Sequence, residues 1–215
     1  MITSTFDHVD TWVFDLDHTL YPPSARLFDQ IEALMTRYVS EVLDVDTNTA
    51  NRLRAEYWRE YGTTLAGLMH VHGIDPDPYL VAVHDIDFSV LTPNPALAEA
   101  ITALPGRKIV YTNGSAPYAR QVLKALGLTE TMQAVYGVED AAYAPKPARE
   151  AFETVFAKAG VVADRGAMFE DDPRNLAVPF NLGMRTIHVA ETPQPAPHIQ
   201  HHTADLIGFL SQVIR

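Results

Sequence analysis

Four short stretches of this chain place acids, hydroxyls and one lysine where an apolar run gives out. In "WVFDLDHTLYPP", residues 12–23, Asp15 and Asp17 stand one residue apart directly after apolar neighbours, and Thr19 follows two places on. "IVYTNGS" ends an apolar run in Thr112 and Asn113 and continues through Gly114 and Ser115. "APKPA" sets Lys146 between Pro145 and Pro147, which restrict the backbone on both sides. "AMFEDDPRNL" adds Glu170, Asp171 and Asp172 after another apolar run. Two like charges at the end of a buried strand are costly unless a cation, a proton or a hydrogen-bond network stabilises them.

Taken singly, each stretch has an ordinary structural explanation. Ser115 suits a plain helix N-cap, a loop lysine is usually solvated, and acids favour helix N-termini. Taken together they form a complete chemical set. Carboxylates at two strand ends make an all-oxygen, hard-cation site that suits Mg²⁺. A hydroxyl, free amides at a helix start and Lys146 would stabilise a phosphoryl group. Asp15 could then attack phosphorus, with Asp17 beside it to handle protons.

The elements that must position these groups follow from periodicity. "TWVFDL" (11–16) reads as a short buried strand. From Ser24, taken as an N-cap, Leu27, Ile31, Leu34, Tyr38 and Val42 recur on one helical face. A second helix is expected over 47–61, with shorter helical pieces in "TTLAGLMHVHG" and "DPYLVAVHDI". After "LTPNP" (91–95) helices and strands alternate: "ALAEAITAL", "RKIVYT", "APYARQVLKALG", "QAVYGV", "AREAFETVFAKAG", "GAMFE", "RNLAVPFNLG", "RTIHVA" and "ADLIGFLSQVI". "ETPQPAPHIQHH" (191–202) reads as a Pro-rich surface connection.

That alternation predicts an α/β fold with a doubly wound, Rossmann-like parallel sheet. Residues 1–21 and 93–215 form the expected core, and 22–92 an inserted helical cap. Ligands of such sheets bind at the carboxyl ends of the strands, where Asp15 and Asp17 stand.

Net charge is −11 and the sequence pI about 5.1, so no footprint for a nucleic acid polymer is expected. Cysteine is absent, which removes thiol nucleophiles and disulfides. No signal peptide or membrane span is read, so a cytoplasmic protein without membrane partners is expected. Oligomeric state is left open. No histidine pair falls in an H-E-x-x-H frame; His70 and His72, two apart on a helix, face different sides. Tyr57, Trp58 and Tyr61 are expected to pack in the core.

"DLDHTL", "TNGS", "PKP" and "FEDDPRN", in this order and with a helical insertion after the first, resemble the haloacid dehalogenase superfamily of phosphotransferases. "DLDHTLYPPSARLFDQI", "YGTTLAGLM", "HGIDPDPYL", "VHDIDFSVL", "ALPGRKIVYTNGS" and "MFEDDPRNLAVPFNLGM" further resemble its bacterial pyrimidine 5′-nucleotidase branch, over about residues 12–189. The resemblance implies Asp15 as nucleophile, Asp17 as general acid/base, and Thr112 and Lys146 on the phosphoryl group, with Asn113 and Gly114 beside them. It implies Mg²⁺ on Asp15, the backbone carbonyl of Asp17, and Asp171. "EDD" leaves open whether Glu170 or Asp172 assists.

The expected activity is hydrolysis of a small phosphomonoester, UMP or CMP, through an aspartyl-phosphate. Tyr21, Tyr61, His70 and Phe88 are candidates to contact the base. The alternative keeps the chemistry and changes the substrate to a sugar phosphate or phosphoglycolate. Dehalogenation is disfavoured, because the superfamily's dehalogenases lack an acid equivalent to Asp17. A phosphoacceptor signalling module is disfavoured by the D-x-D spacing and the 22–92 block.

Overall fold

The computed structural model describes residues 3–214; Met1, Ile2 and Arg215, included in the expected core unit, lie outside the described residues. Six parallel strands form one sheet in the order β3-β2-β1-β4-β5-β6. They are β1 (Thr11–Phe14), β2 (Arg107–Tyr111), β3 (Ala134–Tyr136), β4 (Gly166–Glu170), β5 (Arg185–Val189) and β6 (His201–Thr203). β1 is central, in register with β2 (Val13 opposite Ile109) and with β4 (Val13 opposite Met168). The order reverses beside β1, and such a switch point opens a crevice at the carboxyl ends of the strands.

Because side chains alternate across a strand, β1 feeds two cores. Trp12 and Phe14 face one side, where Phe14 stacks on Phe169 with ring centroids 4.8 Å apart. Helices α1 (Thr3–Phe6), α6 (Pro95–Ala103), α7 (Ala116–Leu126) and α10 (Leu206–Val213) cover that side. Val13, Ile109 and Met168 face the other, against α8 (Arg149–Ala159) and the neighbourhood of α9 (Ala177–Asn181). The Trp12 indole N–H donates to the Pro105 carbonyl at 2.7 Å, so this buried ring leaves no polar atom unpaired.

Between β1 and α6 lie four helices and no strand: α2 (Leu27–Leu43), α3 (Thr47–Tyr61), α4 (Thr64–His72) and α5 (Pro76–Val83). Asp46 caps α3 through Asn48 and Thr49, Thr63 caps α4 through Ala66, and Asp75 caps α5 through Asp77. The expected Ser24 cap is not formed. Pro22 and Pro23 instead set a 3-10 turn over Pro23–Ala25, and Arg26 enters α2 from the left-handed region (φ 56). Val39 is buried and Val42 is exposed, because α3 and α5 both pack on α2 and cover a different sector from the expected stripe.

Two further elements were not expected. α1 is a single turn before β1. β6 overlaps the end of the supposed connection 191–202, where "HHT" offers no apolar alternation; it is held by the backbone ladder to β5 and by the Thr186 hydroxyl donating to the His198 carbonyl. No helix among the described residues is long and apolar enough to cross a membrane.

α4 approaches α3 closely because Gly67 lies under the Tyr57 ring; a Cβ there would stand 2.3 Å from Tyr57 Cγ. Gly67→Ala should therefore destabilise the protein by about 1–3 kcal/mol through overpacking. Thermal or urea unfolding checks this, and an unchanged midpoint would contradict the described packing.

Candidate active site

The chain leaves β1 with the Asp15 N–H still in the ladder, donating to the Phe169 carbonyl at 2.9 Å. It then turns sharply: Leu20 N–H returns to the Leu16 carbonyl, and His18 sits at φ 61. This turn keeps both Asp15 and Asp17 at the strand end. β2 delivers Thr112 beside them and β4 delivers Glu170 and Asp171.

Lys146 arrives from a loop before α8 and is fixed by Asn113. The Asn113 side chain accepts from Lys146 N–H at 2.8 Å and donates to its carbonyl at 3.1 Å. With its backbone clamped, the Lys146 ammonium donates to Asp15 Oδ1 (2.7 Å), Glu170 Oε2 (2.6 Å) and the Tyr111 carbonyl (3.2 Å). The lysine is 1% exposed, so this is a buried cation shared by two buried carboxylates.

The electrostatics follow from that burial. Burial, and then the Glu170 charge, pushes the Asp15 carboxyl up to about 7, against the pull of Lys146. Burial likewise pushes Glu170 up to about 7. Burial alone would pull the Lys146 ammonium down, but Asp15 and Glu170 outweigh it and the group is held above its ordinary value. The oxygens of Asp15, Glu170 and Asp171 converge to within 4.8 Å of one another, a hard donor set that could hold a divalent cation. Asp172 is turned to other work: it caps the turn over Pro173–Leu176 and pairs with the Arg174 guanidinium at 2.6 Å. Of the two acids left open by the sequence, Glu170 is the one in the cluster.

The Asp17 side chain stands outside that cluster. Its Oδ1 accepts from the Tyr21 and Tyr118 hydroxyls, both at 2.5 Å. Burial raises its pKa, and the two hydroxyls lower it less. Tyr118 is in turn covered by the His84 ring, stacked at 4.2 Å, while His84 Nδ1 lies 3.2 Å from the Ser115 hydroxyl. Burial pulls the His84 imidazole down to about 4, so the ring is neutral near pH 7. His18 lies 3.6 Å from Asp171, and this contact is the main cause that raises its pKa.

Thr112 Oγ1 accepts from the Gly114 N–H at 2.9 Å, which leaves the hydroxyl proton available to a ligand. The Gly114 amide and the Asn113 side chain are thereby already engaged within the protein. Asp15, Asp17, Thr112, Asn113, Gly114, Lys146 and Asp171 all border one cavity of about 300 Å³. A larger cavity of about 560 Å³ lies across His18 and Asp171 but contains neither Asp15 nor Lys146; the chemistry belongs to the smaller one.

The helical block contributes other residues than expected. Tyr61, His70 and Phe88 do not border the smaller cavity: Tyr61 and His70 face each other (5.1 Å), and Phe88 lies against Tyr118 (6.1 Å). Tyr21 is committed to Asp17. Trp58, expected in the core, is 51% exposed at the cavity margin, with the Arg174 guanidinium 3.8 Å over its ring. Tyr118 had a legible signal: helical side chains lean toward the N-terminus, so an aromatic in the first turn of α7 reaches back over the strand ends. Contacts such as Trp58–Arg174 join segments far apart in sequence and had none.

The chain belongs to the haloacid dehalogenase-like hydrolase family, whose model matches residues 9–179. It is 25% identical over 195 residues to Phosphate metabolism protein 8 of Saccharomyces cerevisiae, covering 83% of this chain and 61% of that protein's length. Its fold is similar to that of a HAD phosphatase from Thermococcus onnurineus (TM-score 0.63, 15% identity, covering 96% of this chain and 98% of that one). It is also similar to that of a 2-haloacid dehalogenase from Pseudomonas syringae pv. Tomato (TM-score 0.61, 20% identity, 96% and 98% covered).

Removing the shared cation tests the electrostatic description. Lys146→Met leaves Asp15 and Glu170 facing each other unpaired and should cost about 3–5 kcal/mol in metal-free buffer. Adding Glu170→Gln should restore part of that loss. An unfolding midpoint unaffected by Lys146→Met would show that the three groups are not coupled as described.

Proposed function

We propose that the protein is a Mg²⁺-dependent phosphatase that hydrolyses pyrimidine nucleoside 5′-monophosphates through a phosphoryl-Asp15 intermediate. The single observation that carries this reading is the convergence of Asp15, Asp17, Thr112 and Lys146, from three separate segments, on one cavity. Residues 22–92 act in this reading as a cap domain over a core of residues 1–21 and 93–215.

Lys146 holds Asp15 Oδ1 and thereby orients the other oxygen, Oδ2, for attack on phosphorus. The Thr112 hydroxyl and the Lys146 ammonium offset charge on the phosphoryl oxygens. Asp17, its Oδ1 fixed by two tyrosines, donates a proton to the leaving ester oxygen as the P–O bond breaks. Water then attacks phosphorus, Asp17 takes its proton, and phosphate leaves as Asp15 is regenerated. Mg²⁺ bound by Asp15, Asp171 and the Asp17 carbonyl, with Glu170 adjacent, would supply Lewis-acid stabilisation of the phosphoryl group and offset the acid cluster. Asp17 also favours phosphate esters over haloacids: breaking a carbon–halogen bond needs no proton on the leaving group.

The cap side of the cavity supports a neutral leaving group. Phe28, Ile31, Met35, Leu65, Leu80 and Val83 line it, and none of the residues it contributes is an acid, a lysine or an arginine. A carboxylate, as in phosphoglycolate, would lie against these side chains with only Arg174, already paired with Asp172, at the margin to offset it. A hexose phosphate would set more free hydroxyls against this wall than the two that a ribonucleoside carries. A flat base, uncharged and apolar on its faces, suits the wall better.

Asp15→Asn should abolish turnover, measured as phosphate release from UMP; substantial residual Mg²⁺-dependent activity would contradict the covalent route. Asp17→Asn should lower UMP turnover about 10²–10⁴-fold while sparing p-nitrophenyl phosphate, whose leaving group needs no proton. Equal losses in the phosphorylation step would reject the acid role. For substrate, kcat/KM should be higher for UMP and CMP than for AMP, GMP or a sugar phosphate. A preference for the sugar phosphate would reject the nucleotidase reading and leave the phosphatase chemistry intact.

A further inference from the structure

Behind the acid cluster, two histidines hold the loop that carries Asp171. His188, on β5 opposite Glu170 of β4, is fully buried, and its Nε2 lies 2.9 Å from the Asp171 backbone carbonyl. A carbonyl can only accept, so Nε2 carries the proton and donates. His198, from the segment between β5 and β6, donates likewise from Nε2 to the Pro173 carbonyl at 2.9 Å. His198 is itself held, because its own carbonyl accepts from the Thr186 hydroxyl at 2.7 Å. Between the two anchored carbonyls lies Asp172, whose N–H donates to Glu170 Oε1 at 3.2 Å. Asp171 therefore leaves β4 on a turn fixed at successive points, with its carboxylate in the cation cluster and its carbonyl on His188. Packing alone does not call for an imidazole at 188. Its Nδ1 is buried without a hydrogen-bond partner among the described residues, and so is Nε2 of His202, whose ring stands 5.5 Å away. A buried polar atom left unpaired costs about 1–3 kcal/mol, and leucine would fill this place without that cost. What leucine cannot do is donate to Asp171.

We infer that His188, assisted by His198, is a positioning residue for the divalent cation: by holding the Asp171 carbonyl it aims the Asp171 carboxylate at the metal. The inference rests on the reading of Asp171 as a Mg²⁺ ligand and not on the identity of the ester. Within the cluster, Asp15 and Glu170 are both tied down by Lys146. The Asp171 side chain is 30% exposed, and the basic group paired with it among the described residues is His18, at 3.6 Å. Its direction is therefore set chiefly by its backbone, which is where His188 acts. The parallel register makes this reach possible: His188 stands opposite Glu170, so its ring meets the chain one residue further on. Hydrogen bonds one step out from a metal ligand fix the orientation of that ligand, and losing one typically lowers metal affinity about 10–100-fold.

The test is thermal unfolding of the substrate-free protein over a range of Mg²⁺ concentrations, for the wild type, His188→Leu, His188→Gln and His198→Ala. Bound metal raises the unfolding temperature by an amount that grows with ln(1 + [Mg²⁺]/Kd), so the titration reads affinity apart from metal-free stability. For His188→Leu the Mg²⁺ Kd should rise about tenfold or more. His188→Gln, which keeps an amide N–H donor of similar reach, should recover most of that loss, and His198→Ala should raise Kd by less than His188→Leu does. A lowered metal-free unfolding temperature with the Kd of the wild type would make the histidines structural supports and overturn the inference. Equal losses in His188→Leu and His188→Gln would trace the effect to packing and overturn it too. Should His188→Leu fail to fold, His198→Ala decides, and an unchanged Kd there would overturn the inference. Wild-type protein that Mg²⁺ does not stabilise would overturn the metal reading, and this inference with it. Wild-type protein that Mg²⁺ stabilises but that leaves UMP intact would overturn the nucleotidase reading alone.

Discussion

A single buried ammonium organises this molecule. Lys146 lies between Asp15 and Glu170, each within 2.7 Å, at a place where water reaches none of the three freely. Two carboxylates in that position repel each other and resist ionisation; one cation between them makes the arrangement tolerable. The requirement propagates outward. The lysine must be held, so Asn113 clamps its backbone from the end of β2. The carboxylates must face one another, which the parallel pairing of β1 with β4 accomplishes by setting Phe14 opposite Phe169 and bringing both strands to a common end.

A well-packed apolar substitute for a buried ion cluster is often as stable or more so, so stability alone gives no reason for this one. The cluster is explained by what it can do. It keeps a carboxylate dry and oriented beside a hydroxyl and a second acid, and it presents converging oxygens to a cation. Asp17 solves the same burial problem differently, with two tyrosine hydroxyls on one oxygen in place of a cation. The two acids are separated by a single residue yet occupy different environments, which permits different roles.

Much of this was legible in the sequence, and the reason is local. Apolar runs of strand length ending in acids or hydroxyls specify both the strand and the groups at its end, so β1, β2 and β4 and their polar residues could be read directly. α3 was legible to the residue because a run of good periodicity starts after Asp46 and stops at Gly62. β6 was not, since "HHT" pairs through backbone alone. The exit of Arg26 into the left-handed region was hidden because two prolines, and not a capping side chain, shape that turn. Within the site, Asp15 and Lys146 could be named from motif and order, but the partners of Asp17 could not be assigned. Tyr21 was placed near the base and is instead bound to the acid, a choice decided by how β1 and α7 meet. Trp58 was read as core because aromatic residues on a helix usually are; its indole covers Arg174 across the cavity margin, a contact that exists only in three dimensions.

The central claim is that Asp15 carries the phosphoryl group during turnover, and it can be observed without reference to rates. Protein quenched in acid while hydrolysing UMP in the presence of Mg²⁺ should be treated with borohydride, which reduces an acyl phosphate to an alcohol, and then mapped by peptide mass spectrometry. The account predicts conversion of Asp15, and of no other carboxylate, dependent on substrate and absent in Asp15→Asn. Steady hydrolysis with Asp15 unmodified, or with the modification at Asp17, Glu170 or Asp171, would contradict it.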